Sequence, residues 1–355
     1  MRQTVIAFTI VLAVATAAAA QAAAPTTRVV SRTQVQPERQ RQRVTLQPGR
    51  EGREEQTETF KKSVRIGGNG ELDVSNIVGD ITFVRGGGND ATIEVTKIAR
   101  AQTVEAARDL LPLVKVEIND RANRVEVRTV YPSQDNMFRN RRNINVSVQY
   151  TITAPAGTSV TARSVTGNLR VTEIAGELSL ITTSGNVQVT RARSIDSVKS
   201  TSGSIEVTDS DSETPIEAAT ISGDVLMRQV KAPRLELGTI SGKVTLQDVQ
   251  SARIEAQSLS GDVDFTGSLT KGGRYELNSH SGNVRIAVAG GTGFEVEANS
   301  WSGKVESDMQ GLTKHGNEDR PGPGRHNKTL RGVVGDGNAV LEITTFSGNV
   351  WIGKK

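Results

Sequence analysis

Few side chains in this sequence could carry out chemistry, since its 355 residues include three histidines and no cysteine. His280 precedes Ser281, but neighbouring residues of a strand face opposite sides, so the pair cannot act as base and nucleophile. His315 and His326 stand at a spacing that matches no closed zinc site. We therefore predict no catalytic residue, no metal site and no cofactor.

A short sequence motif, Ser-Gly-x-Val or a close variant, recurs nine times, and the fold that it specifies positions the remaining candidate residues. Its glycines are 18 to 21 residues apart as far as Gly303, and the last one follows after 45 residues. The second residue after each glycine is aliphatic and the fourth is mostly apolar, a period of two that is typical of strands. We expect each glycine to turn the chain at positive φ and to leave room for the next repeat. The predicted turn glycines are Gly167, Gly185, Gly203, Gly223, Gly242, Gly261, Gly282, Gly303 and Gly348.

Two short strands and two turns in about 19 residues describe one rung of a solenoid. The sequence therefore predicts an all-β fold, a parallel β-helix or related β-solenoid, with an N-terminal β cap that contains one short helix. A meander of antiparallel hairpins with the same period is the alternative, because the pattern does not fix the direction of the strands.

The chain divides into four parts after its N-terminal segment. Residues 60–163 are predicted to form the cap, with a helix from Gln102 to Leu111 that ends before Pro112. Residues 164–310 carry the repeats. Residues 311–332, rich in glycine and proline, are predicted to form an inserted loop, and residues 333–355 the final rung and C-terminal cap.

The N-terminal segment indicates export. Residues 1–23 combine a positive start, a short apolar run and small residues, as a secretory signal peptide does, and residues 24–59 are predicted to be a disordered basic arm. Residues 1–53 hold eight Arg and two Glu, whereas the rest holds 35 Lys plus Arg and 37 Asp plus Glu. The folded part thus lacks the basic surface that nucleic acid requires. We expect an exported protein, periplasmic, cell-surface or secreted, with no transmembrane span in the mature chain.

Two groups of arginines are candidates for contact with an anionic surface, such as an acidic envelope polymer. One group lies in the basic arm and the other in a loop after Phe138, and a solvated arm and loop are the alternative in both cases. The six residues are Arg39, Arg41, Arg43, Arg139, Arg141 and Arg142.

The position two residues before the repeat glycine holds the candidate ligand-binding residues His280, Trp301 and Phe346. If this column faces solvent, it is a strip on which sugar rings could stack; if it faces inward, it is core. Ile221 and Ile240 occupy the same column and favour the inward orientation.

The position after the glycine holds Asp224, Lys243 and Asp262 in three successive repeats. Side chains of alternating sign on neighbouring rungs predict an opposite-charge ladder that stabilises stacking.

The repeated phrase, together with the segment from Gly70 to Ile81 (GELDVSNIVGDI), resembles the bacterial family of secreted β-strand-repeat proteins labelled as candidate adhesins, a domain of unknown function. The resemblance covers residues 60–355 and implies an extracytoplasmic solenoid without an established enzymatic role. That family has no agreed catalytic or ligand residues, so none is assigned from it. Thr166 stands where the other repeats have Ser, and the segment 311–331 breaks the period.

We expect a non-enzymatic exported protein that binds or organises cell-envelope or matrix polymers. Its expected partner is a cell-surface or matrix glycan, or an envelope protein, and not nucleic acid. A β-helix carbohydrate-active enzyme acting on acidic polysaccharide, and an envelope-stress scaffold that contacts another protein, are the alternatives.

Overall fold

A computed structural model describes residues 54–132, 144–316 and 328–355. The predicted signal peptide, most of the predicted arm and all six arginines predicted to contact an anionic surface lie outside these residues. None of the helices in the described ranges has the length and hydropathy needed to cross a bilayer.

In residues 54–132 and 144–155, the N-terminal cap consists of seven strands and one short helix. Thr103 caps that helix, where its hydroxyl accepts a hydrogen bond of 3.1 Å from the Ala106 N–H, and this confirms the predicted helix. The elements are β1 (Glu54–Arg65), β2 (Glu71–Val78), β3 (Ile81–Gly86), β4 (Asp90–Ala101), α1 (Val104–Leu110), a 3₁₀ turn (Leu111–Leu113), β5 (Lys115–Arg121), β6 (Arg124–Val130) and β7 (Val146–Pro155).

Strand β1 begins earlier than the sequence predicts. Residues 54–59, assigned to the arm, pair antiparallel with β4 instead. They are polar, and ion pairs across the two strands, such as Arg100 with Glu55 at 2.9 Å and Lys97 with Glu58 at 3.3 Å, take the place of apolar contacts. An edge strand held by charge shows little apolar patterning.

The repeats form short strands that alternate between two sheets. They are β8 (Ser159–Thr166), β9 (Leu169–Thr172), β10 (Glu177–Ser184), β11 (Val187–Thr190), β12 (Ser194–Ser202), β13 (Ile205–Asp211), β14 (Ile216–Ser222), β15 (Val225–Lys231), β16 (Arg234–Ser241), β17 (Val244–Gln247), β18 (Arg253–Ser258), β19 (Val263–Ser268), β20 (Arg274–Ser279), β21 (Val284–Ala289), β22 (Phe294–Ser300) and β23 (Val305–Ser307). The chain ends with β24 (Leu312–Gly316), β25 (Lys328–Val334), β26 (Ala339–Thr345) and β27 (Val350–Lys354).

The two sheets make a solenoid. Within the described residues, sheet A has 13 strands in the order β1-β4-β7-β3-β9-β11-β13-β15-β17-β19-β21-β27-β23. Sheet B has 14 there, in the order β24-β25-β22-β26-β20-β18-β16-β14-β12-β10-β8-β2-β6-β5. Each rung gives one strand to each sheet, and successive rungs pair in parallel. The predicted β-solenoid is therefore confirmed, and the antiparallel meander is wrong. Strands β2 and β3, joined at Gly79, form a first rung below β8 and β9.

The last rung in the chain is not the last in the stack. Strands β26 and β27 lie between the rung β20–β21 and the rung β22–β23, in both sheets. The predicted inserted loop is also corrected, because its two ends form β24 and β25, which extend sheet B as antiparallel strands beyond β22. Leu330 of β25 is 1% exposed, so this extension buries an apolar residue, although the glycine-rich composition of the segment predicts a loop.

The core between the sheets is filled mainly by Val, Ile, Leu and Ala, and each repeat glycine forms the first corner of its rung. A Cβ at Gly242 would overlap the carbonyl oxygen of Gly223 in the adjacent rung, and the other eight column glycines meet the same obstacle. Among these nine, only Gly167 (φ 152°) and Gly203 (φ 158°) have φ in the positive range, so the prediction of positive φ is wrong for the rest. Close approach of the rungs is what requires glycine.

The second corner of the rungs follows different rules. Five rungs place a residue other than glycine in the left-handed region there, with φ between 51° and 59°. The side chains at this corner differ in charge and size from one rung to the next. They are Glu173, Arg191, Asp209, Gln229 and Asp248.

Candidate binding surface

Buried Ser and Thr hydroxyls near the first corner of each rung determine which neighbouring side chains face outward. Three residues before the repeat glycine, a Ser or Thr points inward and donates to the carbonyl oxygen of the glycine in the adjacent rung. Ser258 bonds to Gly242 in this way at 3.0 Å, and Ser300 bonds to Gly348 at 2.8 Å. Eight rungs share this hydroxyl ladder: Thr182, Ser200, Thr220, Thr239, Ser258, Ser279, Ser300 and Thr345.

A second ladder runs along the residue after the glycine, where a side-chain oxygen accepts the backbone N–H of the next rung. Asp224 Oδ1 accepts from the Lys243 N–H at 2.8 Å, and Asn349 Oδ1 accepts from the Lys304 N–H at 2.9 Å. This corrects the predicted opposite-charge ladder, because the Lys243 ammonium pairs with Asp264, and Asp262 pairs with Arg285 at 3.1 Å. The column stacks through backbone hydrogen bonds rather than through its own charges.

Since the hydroxyl takes the inward position, the next residue along each strand must face out. The column two before the glycine is therefore exposed or half-exposed on the ten rungs of the described residues, which resolves the two orientations left open by the sequence in favour of the outward one. Val165 is 48% exposed and Leu259 is 50% exposed. At about 4.8 Å per rung the column is about 43 Å long. We call it the ridge; in stack order it consists of Ile77, Val165, Thr183, Thr201, Ile221, Ile240, Leu259, His280, Phe346 and Trp301.

The ridge ends in a stack of three rings, which brings the predicted ligand-binding residues together. The His280 and Phe346 ring centroids are 4.9 Å apart with an interplanar angle of 2°, and those of Phe346 and Trp301 are 6.0 Å apart at 10°. Phe346 stands between the other two because its rung is the inserted one. Both of its faces are covered, so its edge meets solvent, and the stack presents an apolar rail rather than free faces for sugar rings.

A column of glutamates runs beside the ridge on the outer face of sheet B. Like charges directly opposite each other destabilise a sheet, and neighbouring cations offset this repulsion. Arg274 pairs with Glu342 at 2.7 Å, and the Arg331 hydrogen bond lowers the pKa of the Glu297 carboxyl. Six rungs contribute to the column: Glu217, Glu236, Glu255, Glu276, Glu342 and Glu297.

Polar side chains flank the ridge on both sides. Between the ridge and the glutamates, Gln257, Asn278 and Asn299 use their amide groups to bond the glutamates at 2.9 to 3.3 Å. On the other side, the serine that precedes eight of the nine repeat glycines is exposed, as Ser281 and Ser302 are. The ridge is therefore flanked by hydroxyls along one side and, on three rungs, by amides along the other.

Sequence reasoning missed the hydroxyl ladder, the backbone-accepting ladder and the glutamate column. Each had a signal, since Ser or Thr stands three residues before every repeat glycine and Glu six before six of them. His315 lies in β24, and His326 falls outside the described ranges. In the described part of the chain, no group of three or more His, Asp or Glu is arranged to hold a metal ion. The absence of catalytic, cofactor and metal sites stays a prediction.

The two-sheet stack of parallel rungs, with an exposed ridge along one sheet, defines a β-solenoid with one differentiated outer face. A family profile described as Toastrack DUF4097 matches residues 88–353, and the chain belongs to that family of unknown function.

The solved structures that match the chain are distant from it in sequence. A candidate adhesin from Bacteroides fragilis is 12% identical, with 84% of this chain and 97% of that chain covered and a TM-score of 0.38. A candidate lipid-binding protein from Parabacteroides distasonis is 10% identical, with 83% and 96% covered and a TM-score of 0.41. A candidate cell adhesion protein from Clostridium sporogenes is 10% identical, with 84% and 100% covered and a TM-score of 0.22. No curated protein matches the chain.

Proposed function

We propose that this chain is a non-enzymatic binding protein of the cell envelope or cell surface, and that a neutral polysaccharide of the envelope or matrix lies along the ridge. The observation that carries the proposal is the one-sided distribution of exposed apolar residues. Of the ten large hydrophobic residues exposed in the described ranges, seven lie on the outer face of sheet B: Ile77, Val165, Ile181, Leu259, Trp301, Val333 and Phe346. Apolar residues concentrated on one face mark a contact surface.

The polar columns support a neutral sugar polymer over other ligands. Sugar rings offer apolar C–H faces and hydroxyl edges, and the ridge is flanked by a row of serines on one side and by the amides of Gln257, Asn278 and Asn299 on the other. Five of the six glutamates in the column pair with a Lys or Arg, so those cations are already engaged and are less available to an anionic polymer. A ligand that spans several rungs gains affinity from each, so one weak contact per rung is sufficient.

The location rests on the sequence. The N-terminal segment predicted to be a signal peptide and the absence of cysteine both fit an exported protein. An anionic surface contacted by the arginines of the arm remains a separate proposal, independent of the ridge.

The test is sedimentation of the purified protein with insoluble neutral polysaccharides, chitin and cellulose as probes, compared with an anionic polysaccharide. Trp301→Ala should weaken binding to the neutral probe about tenfold or more, the loss typical of an aromatic contact residue. Trp351→Ala is the matched control, because Trp351 is 37% exposed but lies in β27 of sheet A.

Equal losses in the two variants would contradict a binding role for the ridge. Binding to the anionic probe alone, unaffected by Trp301→Ala, would favour the arginine-rich arm instead. Turnover of any probe would favour the carbohydrate-active enzyme.

A further inference from the structure

The position of the final rung in the stack carries an inference that does not depend on the ligand of the ridge. Strands β26 and β27 occupy a slot between two rungs that are consecutive in the chain. Leu341 pairs with Tyr275 on one side of the slot and with Val296 on the other, and both pairings are parallel. The final rung therefore fits its slot through the same contacts that join every other pair of rungs.

The rungs on either side of the slot are also complementary to each other. Thr345 donates to the Gly282 carbonyl oxygen at 3.0 Å, and Ser300 donates to that of Gly348 at 2.8 Å. With the slot empty, Ser300 would meet the Gly282 carbonyl as its partner. The stack can thus close without the final rung, and the final rung can enter any slot of this kind.

The covalent connection between the final rung and the preceding strand β25 is a loop of four residues, 335–338. Val334 and Ala339 both pair with Phe294, from opposite sides of β22, so residues 335–338 must cross the start of that strand. Gly335 and Gly337 adopt φ values of 66° and 64° to make this crossing.

One carboxylate holds the loop in place. Asp336 Oδ1 accepts from the Gly293 N–H at 2.9 Å, which fixes the loop to the residue before β22. Asp336 also bonds the side chain of Asn338, and this hydrogen bond lowers the pKa of the Asp336 carboxyl, so the carboxylate is the form that holds the loop.

We propose that residues 339–355 exchange between two copies of this chain, each final rung entering the slot of the other copy. Every contact between rungs is the same in the exchanged dimer and in the monomer, and the crossing loop alone changes. In the dimer, Phe346 of the second copy completes the stack between His280 and Trp301. Two ridges joined in one particle would bind a polymer bivalently.

The balance between the two forms follows from concentration. The protein's own final rung is tethered by a short loop, which gives an effective concentration on the order of millimolar. Refolding at about 1 mM should therefore give comparable amounts of monomer and dimer, and refolding at about 10 μM almost only monomer.

Engineered disulfides test the exchange directly, because the chain has no cysteine of its own. Asn278 and Thr344 pair across the slot, so the double variant Asn278→Cys/Thr344→Cys joins the final rung to β20. The matched control is Gln257→Cys/Asn278→Cys, which joins two rungs outside the slot. Neighbouring strands lie at a separation that a disulfide can bridge.

After refolding across this concentration range and oxidation, the slot variant should give covalent dimers on a non-reducing gel, in a share that rises with concentration. The control variant should give an internal disulfide only. Internal disulfides alone in the slot variant, even at about 1 mM, would overturn the proposal.

A variant without engineered cysteines covers the case in which these pairs impair folding. Asp336→Ala removes the bond to Gly293 and should raise the dimer share in native mass spectrometry after incubation below the unfolding temperature. A monomer that persists in both Asp336→Ala and the unchanged chain, at all concentrations, also overturns the proposal.

Discussion

Removal of one hydroxyl from the ladder tests the central packing rule of this solenoid. Ser258 is 6% exposed and donates to the Gly242 carbonyl oxygen at 3.0 Å. Ser258→Ala leaves the carbonyl oxygen of the half-buried Gly242 without its hydroxyl donor. The expected result is a loss of about 1 to 2 kcal/mol in the free energy of unfolding, the cost of a buried polar group left unpaired.

Ser164 provides a control in the same column with the same chemical change. It too is 6% exposed, but its hydroxyl has no hydrogen-bond partner. The carbonyl it would reach belongs to Gly79, which accepts from the Asn76 side chain at 2.9 Å instead. Ser164→Ala removes a buried hydroxyl that bonds nothing, so stability should be unchanged or rise by up to about 1 kcal/mol.

Urea unfolding followed by circular dichroism measures both variants. With an m value of about 3 kcal/mol/M, Ser258→Ala should lower the midpoint by about 0.5 M at unchanged m, whereas Ser164→Ala should not lower it. Equal shifts in the two variants would mean that size, and not the hydrogen bond, selects Ser and Thr at this position. The ladder argument would then be refuted.

Two further predictions concern the first corner and the cap. Gly242→Ala should lower the free energy of unfolding, measured by thermal unfolding, by about 3 kcal/mol or more, because its Cβ overlaps the Gly223 carbonyl oxygen. Gly238→Ala is the control and should not destabilise the protein, because its Cβ meets nothing within 4 Å; equal effects of the two substitutions would contradict the steric explanation. Burial raises the pKa of Tyr150 to about 12, so its contribution to stability is present below pH 10 and is lost, by about 2 to 3 kcal/mol, as the pH rises from 10 to 12. Tyr150→Phe should reduce that pH dependence by about one proton, and an unchanged slope would assign it to other groups.

The repeat was predictable because one short motif specifies both the corner of a rung and the inward face of the strand that follows it. Glycine marks the corner, and the aliphatic residue two positions later marks the inward face, as Gly242 and Val244 do. The facing of the ridge was not predicted, because Ile221 and Ile240 suggest core by composition. Thr239 settles it, since its buried hydroxyl has a carbonyl partner at 3.0 Å and leaves Ile240 the outer position.

The order of the rungs could not be predicted from local pattern. The rungs that end at Gly303 and Gly348 carry residues of the same kind at several stacking positions, as the donors Ser300 and Thr345 show, but they differ at others, as Lys304 and Asn349 show. Rungs this similar can satisfy many of the same neighbours, so the repeated motif alone does not predict which of the two enters the slot. The stack of three rings depends on that decision, because Phe346 reaches His280 only from the inserted rung.

The two corners of a rung impose opposite demands on substitution. At the first corner, any side chain larger than hydrogen collides with the adjacent rung. At the second, side chains as different as Glu173, Arg191 and Gln229 adopt the same left-handed conformation, at a cost of about 1 to 2 kcal/mol each. A lineage of such proteins can therefore diversify along the second corner and keep its architecture, so new specificities can arise there without a new fold.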